Sequence, residues 1–159
     1  MKKAALIQEI IAQLMGELEV FSRAARAAHA EATHEQSKAE NKYDTRGLEA
    51  SYLARGQSRQ IIEIEAAIAD FRKLDPRPFD ADEAIGLGAL VEVEQRGERS
   101  LYFIGPRAGG VEIMHEQREI LVITPQSPLG QQLVGKKRGE RLQLSFGGTR
   151  TGYRVVSVG

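Results

Sequence analysis

The sequence predicts an α+β protein: an N-terminal antiparallel coiled-coil hairpin, followed by a small sheet domain that carries one helix. Three observations predict it. Apolar residues keep a helical period from residue 3 to about 73, as two matched seams separated by a polar break at residues 33–44. A segment with two prolines and four acids, Leu74 to Ala84, then ends the helical pattern and reads as a linker. Beyond it the period changes to two. The expected division is 1–75 for the hairpin and 76–159 for the sheet domain.

In the first helix Ile7, Ile11, Leu14, Leu18, Phe21, Ala25, Ala28 and Ala32 follow one another at alternating intervals of 4 and 3. The same rhythm returns with Tyr43, Gly47, Ala50, Ala54, Gln57, Ile61, Ile64, Ile68 and Phe71. Each run is a heptad seam, and a short polar break between two seams favours an antiparallel hairpin. Placing Ile7 opposite Phe71 puts the reversal near residue 39. Arms of ~33 residues give a rod of roughly 50 Å. The large seam residues lie at the base and the small ones nearer the reversal, so the helices are expected to approach closely toward the tip.

The break, "THEQSKAENKYD", has three acids, two lysines and a histidine but no glycine or proline. A capping box explains how it turns: Ser37 as Ncap of the second helix and Glu40 at the third helical position. Glu35 and Asp44 flank the box and read as solvated.

In the second half "ALVEVEQRGERSLYFIG" reads as a β-hairpin turning at Arg96-Gly97-Glu98, and "EILVITP" as a buried strand. Ser127-Pro128 is an Ncap followed by proline at the first helical position, opening a short helix that ends at Gly135. "ERLQLSF" and "GYRVVSV", joined by a "GGT" turn, close a sheet expected to be curved and antiparallel.

Composition narrows the partners. Lys+Arg and Asp+Glu are both 22, so no net field draws the chain to nucleic acid or an anionic membrane. There is no cysteine, which removes disulfides and thiolate metal sites. Glutamates at 9, 17 and 19 interrupt the N-terminal apolar run, and no stretch reaches the ~18 apolar residues of a membrane span. A cytoplasmic protein without membrane contact is expected. Arg23, Arg26, Arg55 and Arg59 fall at one level of the hairpin, as a basic patch or as arginines paired with Glu19, Glu31 or Glu63. His29, His34 and His115 are scattered, and "KKR" at 136–138 reads as a solvated turn.

With these elements laid out, the chain resembles the bacterial Gre transcript-cleavage factors. The segment "SPLGQQLVGKKRGERLQL", Ser127 to Leu144, is similar to the family's Ser-Pro helix followed by a Gly-Lys turn and a strand. Glu40-Asn41, Tyr43 and "IIEIEAAI" fall where the family has its own Glu-Asn, Tyr and Ile-Glu-Ala run. The resemblance implies a C-terminal domain of FKBP-like fold that docks on RNA polymerase at the rim of its secondary channel. Ser127, Pro128, Leu129 and Gly130 would belong to the docking part. The hairpin would enter the channel, with Arg23, Arg26, Arg55 and Arg59 near the nascent RNA 3′ end or the channel wall.

It further implies that tip carboxylates help hold a Mg²⁺ ion shared with the polymerase active site, which suits a hard cation and two-metal hydrolysis. The polymerase would remain the enzyme and this chain an accessory factor. Glu40 matches the family glutamate, but Ser37 stands where the family has an aspartate. Glu35 or Asp44 would have to replace the missing carboxylate. A non-cleaving channel-binding regulator or inhibitor is the alternative. Two readings from other classes are a homodimerising coiled-coil protein and a prolyl isomerase or chaperone. The isomerase reading rests on fold alone, which does not carry function.

Overall fold

A computed structural model of the chain describes residues 2–33, 46–146 and 148–159, with backbone alone at 32–33, 46–55 and 146. Two long helices come first, α1 (Lys3–Thr33) and α2 (Arg46–Lys73). Six strands and a short helix follow: β1 (Leu90–Gln95), β2 (Glu98–Ile104), β3 (Glu112–His115), β4 (Arg118–Ile123), α3 (Pro128–Leu133), β5 (Arg141–Phe146) and β6 (Thr149–Val158). The α+β class is as the sequence predicts.

The molecule divides into two compact units, one of Met1–Ile11 with Asp70–Gly159 and the other of Ala12–Ala69. The start of α1 and the end of α2 thus belong to the sheet-bearing unit.

The helical unit bears the predicted seam where its side chains are described; Ala32, Tyr43, Gly47, Ala50 and Ala54 lie outside that description. Leu14, Ala28, Ile64 and Ile68 are buried, and Leu18, Phe21, Ala25, Gln57 and Ile61 are half-buried. In the sheet-bearing unit the start of α1 is covered over a wider arc. Ile7 and Ile11 of the seam are buried there together with Leu6 and Ile10, which the seam leaves out. A strict heptad seam is the narrow stripe of a helix with one partner, and this wider stripe is that of a helix set into a core.

The sheet has the order β3-β4-β2-β1-β6-β5. The β1–β2 hairpin turns where expected: Gln95 pairs with Glu98, and Arg96 and Gly97 both have positive φ. Strands β5 and β6 pair antiparallel, and a bulge in the β1–β6 ladder at Glu92/Val93 adds curvature. One expectation is corrected. The sheet is mixed, because β2 and β4 run parallel from Leu101↔Ile120 to Ile104↔Ile123. The cause is β3, a short strand between them that takes the edge position and pairs antiparallel with β4. Its four residues are too few to display a period, and its turn residues Glu116 and Gln117 hold positive φ without a glycine or asparagine to announce it.

Both faces of the sheet are used. On one, Val91, Val93, Ile104, Ile123, Leu142, Val155 and Val158 form a core with Leu133 of α3 and with Phe79, Ile85 and Ala89. Phe79 lies in the segment read as a linker, which is therefore an ordered part of the core. Arg77 forks onto Glu83 at 2.6 and 3.1 Å, and the Asp80 amide donates to the same carboxylate. On the other face Phe71 of α2 stacks on Phe103 with ring centroids 6.4 Å apart. Gly105 makes room for it, since a Cβ there would meet Phe71 at 2.8 Å and Val122 at 2.9 Å.

Candidate functional site

The residues singled out from the sequence fall in three places. Glu35, Ser37, Glu40 and Asp44, with the capping box, lie outside the described residues. The arginine set lies on the long helices, and the Ser127–Leu144 segment forms one corner of the sheet-bearing unit.

That corner is built from local chemistry. Ser127 is extended (φ −65°, ψ 156°), and its hydroxyl accepts from the Gly130 amide at 3.1 Å, as an Ncap does. The same hydroxyl donates to the Thr124 carbonyl at 2.7 Å, tying the cap to the end of β4. Pro128 follows at the first helical position, where its missing N–H costs nothing. Gly130 is required by packing: a Cβ there would stand 1.8 Å from the Thr124 carbonyl oxygen.

After α3 the chain turns at Gly135, whose φ is +91°, and pairs back to Ile85 through two backbone bonds of 2.8 Å. The result buries Leu133 and leaves Val134 40% exposed, while the segment paired to it leaves Leu87 50% exposed. Pro128 is also exposed and Leu129 half-buried. This corner thus presents apolar side chains on a rigid, capped helix. The following Lys137 and Arg138 point to solvent, Arg138 lying 3.6 Å from an almost fully exposed Asp82.

On α1, Arg23 and Arg26 share Glu19 at 2.8 and 3.8 Å, and all three are more than half exposed. Such pairs stabilise little and leave the guanidinium groups accessible. Arg59 is exposed on α2, and the side chain of Arg55 lies outside the description.

Two buried polar groups escaped the sequence reading. Lys3, only 9% exposed, donates to the Arg77 and Gly159 carbonyls at 2.7 and 2.8 Å and sits over the Phe79 ring. Burial, then the nearby Arg77 charge, push its amine down to about 8. His115 on β3 is 5% exposed, with Nδ1 2.9 Å from the Glu9 carboxylate of α1. Neither ring nitrogen makes a directed hydrogen bond among the described residues, so the contact is one of proximity. Neither group has a local signature, because each partner is distant in sequence.

Carboxylates and arginines also form a lattice on the sheet. Burial alone would raise Glu92, but Arg118 at 3.2 Å and Arg99 at 3.3 Å together hold it below its ordinary value. Tyr102 is raised by burial beside Tyr153. Among the described residues no three His, Asp or Glu side chains are grouped to hold a metal, and no helix is long and apolar enough to cross a membrane.

No protein-family model matches the chain, and no curated protein matches it. Among solved structures it is similar to Gfh1 of Thermus aquaticus, with 25% identity, 92% of each chain covered and a TM-score of 0.41. It is similar to GreA factor homolog 1 of Thermus thermophilus at 23% identity, 94% of each chain and a TM-score of 0.38. A third similar structure is the prokaryotic transcription elongation factor GreA/GreB from Nitrosomonas europaea. There the identity is 18%, the coverage 60% of this chain and 78% of that one, and the TM-score 0.39.

Proposed function

We propose that this chain is a transcription elongation regulator of Gre type. It docks on RNA polymerase through the α3 corner and presents its helical tip to the secondary channel. The observation that carries the reading is the Ser127–Leu144 segment, whose residues resemble the Gre signature and form a capped helix, a glycine turn and a strand. An ordered, partly apolar corner suits docking, since exposed apolar residues on a rigid element bind at low entropic cost. The FKBP-like description of the sheet domain and the cytoplasmic setting belong to the same proposal.

At the tip, Glu40 is the acid matched to the family's glutamate, and a Mg²⁺ shared with the polymerase would draw on it. A carboxylate is a suitable hard donor and the Ser37 hydroxyl a poor one. This substitution favours the second reading, a channel-binding regulator that cleaves weakly or only inhibits. In either case the hydrolysis is the polymerase's own.

Binding to core RNA polymerase and RNA cleavage in a stalled, backtracked complex test the proposal separately. Glu40→Gln keeps a capping side chain but removes the charge, so binding is expected to survive while any cleavage stimulation collapses. Ser37→Asp keeps an Ncap and adds the carboxylate, so cleavage is expected to rise. Failure to bind polymerase sinks the whole reading. Parent-like cleavage by Glu40→Gln leaves that residue as a helix cap only.

A further inference from the structure

We propose that the outer face of β6 and its two neighbours is a docking site for an acidic segment of a protein partner. It is distinct from the α3 corner and does not depend on the polymerase reading. The ladder places Glu94, Arg154 and Arg141 in one row across β1, β6 and β5. Arg141 and Arg154 are therefore directly opposed like charges, an arrangement that destabilises a sheet unless something neutralises it. Glu94 engages Arg154 at 2.9 Å. Among the described residues no carboxylate pairs with Arg141, nor with Arg96 or Arg150.

The geometry leaves space beside them for an anion. Arg96, Arg141 and Arg154 line a hollow of about 290 Å³ with Glu94, Gln143 and Gly152. Gly152 is part of its lining, and an added Cβ there would meet nothing within 4 Å. Arg96 reaches it from the β1–β2 turn with φ 51°, a left-handed position that asparagine or glycine fills at lower cost. Two unfavourable choices thus converge on one cavity, and a bound carboxylate compensates both through charge-assisted, forked hydrogen bonds.

The occupant is protein rather than nucleic acid. Three arginines with Glu94 among them, on a chain of zero net charge, are too few for binding driven by counterion release. The tyrosine of the hollow, Tyr153, stands opposite Leu142 of the buried core and is half-buried, which leaves no stacking platform for bases.

Titration of the full-length chain with a labelled hexaglutamate peptide at low salt, against a six-nucleotide single-stranded RNA, tests this. Saturable peptide binding tighter than RNA binding is expected, with Arg141→Gln and Arg96→Gln each weakening it by about tenfold or more. Gly152→Val, or Gly152→Ala should the valine variant fold poorly, fills the hollow without altering charge and is expected to weaken the peptide as well. Absence of saturable peptide binding overturns the proposal, as does tighter binding of RNA. Parent-like affinity in the filled variant overturns it too, by reducing the effect to diffuse attraction.

Discussion

At the residue scale, Lys3 connects chain path to pH. A lysine near the start of α1 is held by carbonyls of the 75–83 segment and of the strand β6 end, so it fastens three distant parts of one unit. Its amine is lowered from 10.5 to about 8, so between these values the unfolded chain binds more protons than the folded one. Its contribution therefore makes stability rise with pH across that window and stay flat below it. The full excursion is at most about 3 kcal/mol. Urea denaturation from pH 7 to 10 is expected to show this rise in the parent and a shallower one in Lys3→Met. An identical slope in both would assign the effect to other groups.

At the element scale, α3 is the shortest helix among the described residues, and it depends on particular atoms. With six residues it cannot stand by propensity alone, so its cap and its close approach to β4 hold it. Ser127→Ala is expected to cost about 1 kcal/mol, the usual price of a lost Ncap. Gly130→Ala must displace the Thr124 carbonyl and is expected to cost more, about 1–3 kcal/mol. Equilibrium unfolding of both variants orders them, and a smaller loss for Gly130→Ala would mean that the helix shifts freely. The sequence made this element legible because Ser-Pro and the following Gly are local signals. Strand β3 was not legible, since four residues and a turn of Glu116-Gln117 carry none.

At the scale of the whole molecule, the change of period near residue 75 is not where packing changes. Phe71 is fully buried against Phe103, and Leu6 and Ile10 are fully buried in the same unit. A fragment of residues 76–159 therefore loses groups that the sheet-bearing unit contains, and truncating a buried phenylalanine alone costs about 3–5 kcal/mol. The fragment is expected to melt well below the full chain and less cooperatively. A fragment that melts at the temperature of the sheet-bearing unit in the full chain would show that the helix ends add nothing. Polymerase competition experiments should accordingly use the full chain.

What the sequence by itself determined is what repeats or signals locally: the two seams, the β1–β2 and β5–β6 hairpins, and the capped helix at Ser127. Periodicity encodes which face of an element is apolar, and glycine, proline and serine encode where the chain turns. The tertiary structure alone decided which distant faces meet. It set β4 parallel to β2, brought His115 to Glu9, buried Lys3, and opposed Arg141 to Arg154 around Gly152. Those outcomes depend on register and on competition among many apolar faces for one core, and no residue's neighbours in sequence record the result.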